Sequence, residues 1–409
     1  MSKIENIKSY EGQVLDNIFF RPMLTGGSAE ELGIKVMYNM PVPTTLHFWK
    51  RTGDILKKYT SSGWSGGEPS QKFQKVLNLH KVKAEMAYSA EDYFSTVYEL
   101  ITGRADVNLD DLSGSELEEA ETALFRSSIR ESIRSTMWYG DTEREGELST
   151  FDGFVKQIIT DGNSGDLPIC GFIPGYGGED WAERLLKKLW EQSTEELRSL
   201  RSEGQLAFFV STDVYNAYEE ALDNVALESA YLAKQNGREA LYYRGIPVID
   251  VQLGGYADSV ADLPHSFAIL TDRRNLALAV NTGDFPGTEV RMWYNPDLME
   301  NRQRAIFMAG CDYLLPELVS CAVGLPVRNL KVDYSDGEVT VMGEINPSEE
   351  WMHSCTLMGY DAAGDISIDD ESIMGDNGVI IGRSQSSTLS KATIIGYGNH
   401  GGYYCVDVL

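Results

Sequence analysis

Between Ile34 and Ser89 the chain carries two apolar, β-favouring stretches, IKVMYNMPVPTTLHFW and FQKVLNLHKVKAEMAYS, on either side of the Gly- and Ser-rich SSGWSGGEPS. That pattern predicts a long β-hairpin. In its second arm Val82, Ala84 and Met86 alternate with Lys81, Lys83 and Glu85, which turns one face to a core and the other to water. From Ser115 the period changes. Ser115 and Glu118 offer a capping box, and Leu117, Leu124, Phe125, Ile129, Ile133 and Met137 recur at helical steps, predicting one long amphipathic helix.

The polar, turn-rich WYGDTEREGELSTFDGF then leads into a short apolar stretch, and DWAERLLKKLWEQSTEELRSL reads as a second helix. Leu206 to Val210 is a buried strand, after which Ser211 or Thr212 caps a helix through VYNAYEEAL. Strand patterns return in LYYRGIPVIDVQL, FAILTD, NLALAV and EVRMWY, and a last helix is expected near RAIFMAGCDYLLPELVSCAV. Beyond Leu325 no helical period remains. The runs LKVDY, EVTVMGEI, CTLMGYD, GVIIGR, ATIIGYG and YYCVDVL, spaced by Gly, Asp, Asn and Ser, point to a separate β-sandwich. Residues 1 to 30 mix Pro and Gly breakers with aromatic anchors, as an extended arm would.

At 409 residues the chain exceeds the size at which one core stops growing, so several domains are expected. Its 62 acidic and 35 basic side chains give a formal charge of -27. Such a field repels phosphate and anionic lipid, which argues against sequence-specific DNA binding and against a membrane partner. No basic stretch followed by an apolar run opens the chain, and no run of about 18 apolar residues occurs, so synthesis and retention in the cytosol are expected. Cys170, Cys311, Cys321, Cys355 and Cys405 form no CxxC pair and read as free, mostly buried thiols.

Motifs for catalysis are weak throughout. Gly63-Trp64-Ser65-Gly66-Gly67 matches GxSxG, but a hairpin arm follows where a nucleophile elbow needs a helix. Gly396 to Gly401 matches GxGxxG, yet YYCVDVL follows, so a glycine-rich hairpin turn is the better reading than a dinucleotide site. Asp161 to Asp166 hints at a calcium loop, but its twelfth position is Phe172 and not Glu. His47, His80, His265, His353 and His400 lack metal-pair spacing, and neither a phosphate loop nor HExxH is present. The expectation is a non-enzyme with no catalytic residue, cofactor or metal.

The order of elements resembles the Hong Kong 97-type major capsid protein of tailed bacteriophages. IRSTMWYGDTEREGELSTFDGF is similar to that family's segment after its spine helix, and AFFVSTDVYNAYEEAL to its strand ending in a Ser-capped helix. LYYRGIPVIDVQ and FAILTDRRNLALAV resemble its strand pairs. The resemblance covers residues 30 to 325 and implies an α+β fold: an N-terminal arm (1–30), an extended loop (31–89), a peripheral domain with the spine helix (90–164 and 286–325) and an axial domain (165–285). An immunoglobulin-like β-sandwich (326–409) is added. It further implies pentamers and hexamers in an icosahedral virion shell around double-stranded DNA, made in a host bacterium with a separate scaffold, a portal and possible decoration proteins. Phe48, Trp49, Lys50, Arg51, Lys57 and Lys58 are the candidate assembly contacts, a strap onto an acidic neighbour; the bland alternative is a solvated hairpin. The family's Lys-to-Asn cross-link triad is not identifiable, although Lys57 or Lys58 is a candidate for its lysine. Rival readings are an encapsulin-like compartment shell, an α/β hydrolase built on Ser65, and a tail or adhesin protein whose C-terminal module binds glycans.

Overall fold

The computed structural model describes residues 8–10, 29, 32–38, 44–50, 71–89, 116–162, 167–224, 241–257, 260–281, 289–295, 297–298, 300–335, 338–346, 349–372, 379–385, 389–399 and 402–408. In chain order these form β1 (Lys8–Tyr10), β2 (Lys35–Tyr38), β3 (Thr44–Lys50), β4 (Gln71–Leu77), β5 (His80–Ser89), α1 (Glu116–Tyr139), α2 (Phe154–Gly162), β6 (Ile169–Phe172), α3 (Trp181–Gln192) and α4 (Glu195–Ser199). There follow β7 (Leu206–Val210), α5 (Thr212–Asn224), β8 (Leu241–Tyr243), β9 (Ile246–Asp250), β10 (Phe267–Asp272), β11 (Leu276–Asn281), β12 (Glu289–Asn295), β13 (Glu300–Tyr313) and β14 (Val319–Gly324). The chain finishes with β15 (Val327–Ser335), β16 (Glu338–Ile345), β17 (Met352–Asp361), β18 (Ile366–Ser372), β19 (Val379–Gln385), β20 (Leu389–Gly398) and β21 (Gly402–Asp407). This is a mixed architecture of many strands and few helices. The described residues fall into two compact units, one drawn from 1–27, 36–130 and 277–314, the other from 28–35, 131–276 and 315–409.

The first unit is built on a sheet ordered β1-β12-β13-β11-β2, with β5 also paired to β13. Val82, Ala84 and Met86 are half-buried while Lys81, Lys83 and Glu85 are exposed, as their alternation predicts, but these residues are not an arm of the hairpin: they lie on β5, which pairs with β13. The hairpin itself is the antiparallel pair β3–β4, running from Thr44 opposite Leu77 to Lys50 opposite Gln71. At its base Leu77 and Leu79 are buried. There Lys75 meets Asp312 at 2.7 Å and lies 3.7 Å from the centre of the Tyr313 ring. Gly310 is required beside it, because a Cβ would stand 2.2 Å from the Asn78 carbonyl oxygen.

The helix expected near RAIFMAGCDYLLPELVSCAV is not one. That stretch forms the end of β13, a short 3-10 turn at Pro316–Leu318, and β14. A continuous apolar run has no period by which to separate a buried strand from a buried helix. β13 is paired with β12 as far as Ile306, with β5 as far as Ala309 and also with β11, and β14 lies between β10 and β6, so backbone pairing overrides the helix preference of Ala, Met and Leu. The long helix is confirmed as α1, whose stripe Phe125, Ile129, Ile133 and Met137 is buried.

The second unit centres on a six-stranded sheet ordered β6-β14-β10-β7-β9-β8. β6 runs parallel to β14 and β7 parallel to β9, while the other neighbours are antiparallel. One face is covered by Leu185, Leu186 and Leu189 of α3 and Val214 and Tyr218 of α5, which pack on Phe208, Val210, Val248 and Leu270. On the other, the Trp138 ring lies 5.5 Å from Phe209, 5.9 Å from Phe267 and 5.4 Å from Phe154 of α2. Burial on both faces explains why LAFFV, FAILTD and VSCAVG read as unbroken apolar runs.

Residues after Leu325 form two antiparallel sheets, β15-β16-β19 and β18-β17-β20-β21. Strand β18 has no counterpart in the sequence reading, because its apolar Ile366 and Ile368 are interleaved with an acidic stretch that looks like a turn. The edge strand β21 lies along β6. A Cβ on Gly171 would come within 3.3 Å of the Cys405 carbonyl oxygen, and the Tyr176 hydroxyl donates to the Val408 carbonyl at 2.7 Å. The open edge of the central sheet is thereby covered. All five cysteines are free, and four are buried. Burial pushes the Cys355 thiol up to about 12, which keeps it protonated at neutral pH.

Candidate functional site

Of the residues proposed to make assembly contacts, Phe48, Trp49 and Lys50 lie on β3, where they pair in register with Phe73, Lys72 and Gln71. Arg51, Lys57, Lys58 and the Ser65 motif lie outside the described residues. The GxGxxG match falls where Gly398 pairs with Gly402 between β20 and β21, a hairpin connection with no helix after it. Asp161 and Gly162 close α2, and the rest of the calcium-like stretch lies outside the described residues.

A cavity of about 340 Å³ opens in the second unit, lined among others by Tyr139, Ser211, Asp213, His265, Ser266 and Glu349. These are chemistry-bearing side chains, so their bonding decides what the cavity can do. Both serine hydroxyls donate to the Asp213 carboxylate, and Ser211 Oγ also accepts the Phe267 amide at 3.1 Å. His265 has Nε2 at 3.1 Å from the Val260 carbonyl and Nδ1 at 3.5 Å from Glu349. Glu349 in turn accepts from Asn346 at 3.0 Å and from the Trp351 indole at 3.2 Å. The Tyr139 hydroxyl donates to the His265 carbonyl at 2.9 Å. Burial above all, with the carboxylates of Asp213 and Glu349 nearby, holds its phenol well above the ordinary value. A catalytic serine needs its proton taken by a base that a third group orients. Here the hydroxyls face a carboxylate and the imidazole is engaged with other acceptors, so the network stitches the loop before β10 to the segment before β17.

A second buried polar cluster follows α1. Lys156 of α2 bonds the carboxylate of Asp141 and lies 3.0 Å from that of Asp152. Asp152 also accepts the Thr142 amide at 2.8 Å. The loop can fold back because Gly140 and Gly153 are bare: Cβ atoms there would stand 2.1 Å from the Phe151 carbonyl oxygen and 2.5 Å from that of Trp138. Gly140-Asp141 and Asp152-Gly153 are therefore the two halves of one clamp.

No protein-family model and no curated protein matches the chain. Solved structures do. The chain is similar to a satellite phage P4 procapsid that includes the size determination protein Sid, at 11% identity over 74% of this chain and 96% of that one, with a TM-score of 0.46. It is also similar to the capsid of a native GTA particle, at 12% identity over 73% and 89% of the two chains and a TM-score of 0.45. The capsid of Myoviridae phage XM1 matches at 13% identity over 72% and 91%, with a TM-score of 0.41. With scores this low, the reading of function rests on this chain's own residues.

The feature that the sequence did not disclose lies on the first unit's sheet. Strand register sets Arg291 opposite Arg304 and Arg304 opposite Glu85; in the next row Trp293 faces Arg302 and Arg302 faces Ala87. Lys83 and Lys81 continue the same face beside Ile306 and Met308. The two lysines are exposed, and the three arginines are half-buried. Arg304 lies 5.7 Å from the Trp293 ring centre, Arg302 is 2.5 Å from Glu300, and Lys83 is 2.7 Å from Glu85. The sequence shows alternation in β5 alone and reads the β13 stretch as a helix, so the basic positions become one surface only when β5 pairs with the β12–β13 hairpin far along the chain. Among the described residues no group of three or more His, Cys, Asp or Glu could hold a metal, and no helix is long and apolar enough to cross a membrane.

Proposed function

We propose that this chain is a major capsid protein of the Hong Kong 97 type, whose copies assemble as pentamers and hexamers into the icosahedral shell of a tailed phage and enclose its DNA. The observation that carries this reading is the hairpin β3–β4. It is a two-stranded sheet that, among the described residues, shares no ladder with any other strand, and it is followed by a long helix and a layered α/β sheet. An isolated two-stranded hairpin is marginal in water, so such an arm gains stability by lying on another surface. A subunit that tiles a closed shell supplies that surface on its neighbour. The hairpin residues Phe48, Trp49, Lys50, Arg51, Lys57 and Lys58 are the proposed strap.

The two C-terminal sheets support an immunoglobulin-like module over residues 326–409. Counting its seven strands in order, the first, second and fifth form one sheet, and the fourth, third, sixth and seventh the other. This is the immunoglobulin division of strands with the fourth strand placed beside the third. With thirteen acidic and four basic residues in Val327–Leu409, the module suits a solvated outer surface.

Negative-stain electron microscopy of the chain, expressed alone and with its neighbouring genes, tests the proposal after size-exclusion chromatography with light scattering. Closed shells, or pentamers and hexamers that close when a scaffold is supplied, are expected. A monomer or dimer under every condition would overturn it.

A further inference from the structure

We infer that the solvent face of the β12–β13–β5 ladder is a docking surface for a carboxylate-rich surface of a second copy of this chain; the inference rests on the reading that copies self-assemble. By register the face carries Lys81, Lys83, Arg291, Arg302 and Arg304 against Glu85, Glu300 and Glu289. Five cations to three carboxylates inverts the chain's overall balance of 35 to 62.

Copies that each bear a formal charge of -27 repel one another before they touch. Association then depends on local complementarity, in which a positive patch meets a negative one and fixes the register of contact. This face has the composition such a patch needs. Arginine sheds water more readily than lysine and presents a planar fork to carboxylates, and arginine with tryptophan dominates the energetic centres of interfaces. Trp293 lies among the three arginines, with Arg304 close to its ring. The other side of the same ladder is committed to the core through Val290, Ala305 and Phe307, while on the basic side Lys81, Lys83 and Glu85 are exposed and the three arginines are half-buried. Complementary surface is abundant on a second copy, most densely in Val327–Leu409 with its thirteen acidic and four basic residues.

The test compares wild type with R302E/R304E by electron microscopy and light scattering, with and without the neighbouring genes, using thermal melting as a check of folding. The charge-reversed chain loses the Arg302–Glu300 pair and the Arg304–Trp293 contact, so it is expected to fold with a lower melting temperature and to need at least about tenfold higher concentration to assemble. If it fails to fold, K81E/K83E carries the same test on exposed lysines. Assembly of the variant at the wild-type threshold would overturn the inference and leave the capsid reading standing. So would normal assembly with loss of bound double-stranded DNA, which would make nucleic acid the partner. Failure of wild type to associate under any condition would remove both.

Discussion

Lys156 keeps an ammonium group inside the protein because carboxylates meet it there. Its side chain is 8% exposed and that of Asp141 is 3% exposed. Burial works against the charge, but bonds to Asp141 and Asp152 outweigh it and hold Lys156 above the ordinary lysine value. Removing one partner of such a pair strands the other, so Lys156→Met should lower stability by about 3–5 kcal/mol, as read by denaturant unfolding. Asp152 gives the pH signature. Burial alone would raise its carboxyl, yet the Thr142 amide and Lys156 bring it below the ordinary aspartate value. A lowered carboxyl contributes stability that is present above the unfolded value of about 3.9 and is lost as pH falls through the lower folded value. Wild type should therefore lose melting temperature below about pH 4, and Asp152→Asn should be less stable at pH 7 with a flatter fall. An identical slope in both proteins would show that the clamp is not charged.

At the scale of elements, β13 organises its unit. Ala305 lies opposite Val290 on one side and Ala84 on the other, so its strand is paired on both edges. Proline cannot donate to a ladder and is confined to edges or bulges. Ala305→Pro should therefore abolish soluble expression or the near-ultraviolet circular dichroism, whereas proline at the exposed Leu298 should be tolerated. The alternation of β5 and the helix α1 could be read from the sequence because period two and period 3.6 are written into consecutive residues. β13 could not, since its second half is buried without a period and its identity as a strand is conferred by pairing with β5 and β11.

For the molecule as a whole, the acidic module is bound into the second unit by more than its linker. Glu349 accepts from Asn346, from the Trp351 indole and, at 3.3 Å, from the His265 amide, while β21 covers the edge of β6. Glu349→Ala leaves buried donors unpaired, at a cost of about 1–3 kcal/mol for each group so stranded. Hydrogen exchange should then accelerate together in peptides of β6, β10, β20 and β21. Acceleration confined to residues 327–409 would show instead that the module opens independently.

The sequence by itself determined the alternating strand β5, the long helix, the helix after Leu206–Val210, the run of short strands after Leu325 and the acidic field, all of which follow from neighbouring residues or from simple sums. Tertiary structure alone decided that β13 is a strand, that Gly140 and Gly153 close one clamp on Lys156, that His265 meets Glu349, and that Arg291, Arg302, Arg304 and Lys83 share a face. Each of these joins residues brought together by strand order and register. A local pattern states that a segment has two faces, while only the closed topology selects which segments those faces meet.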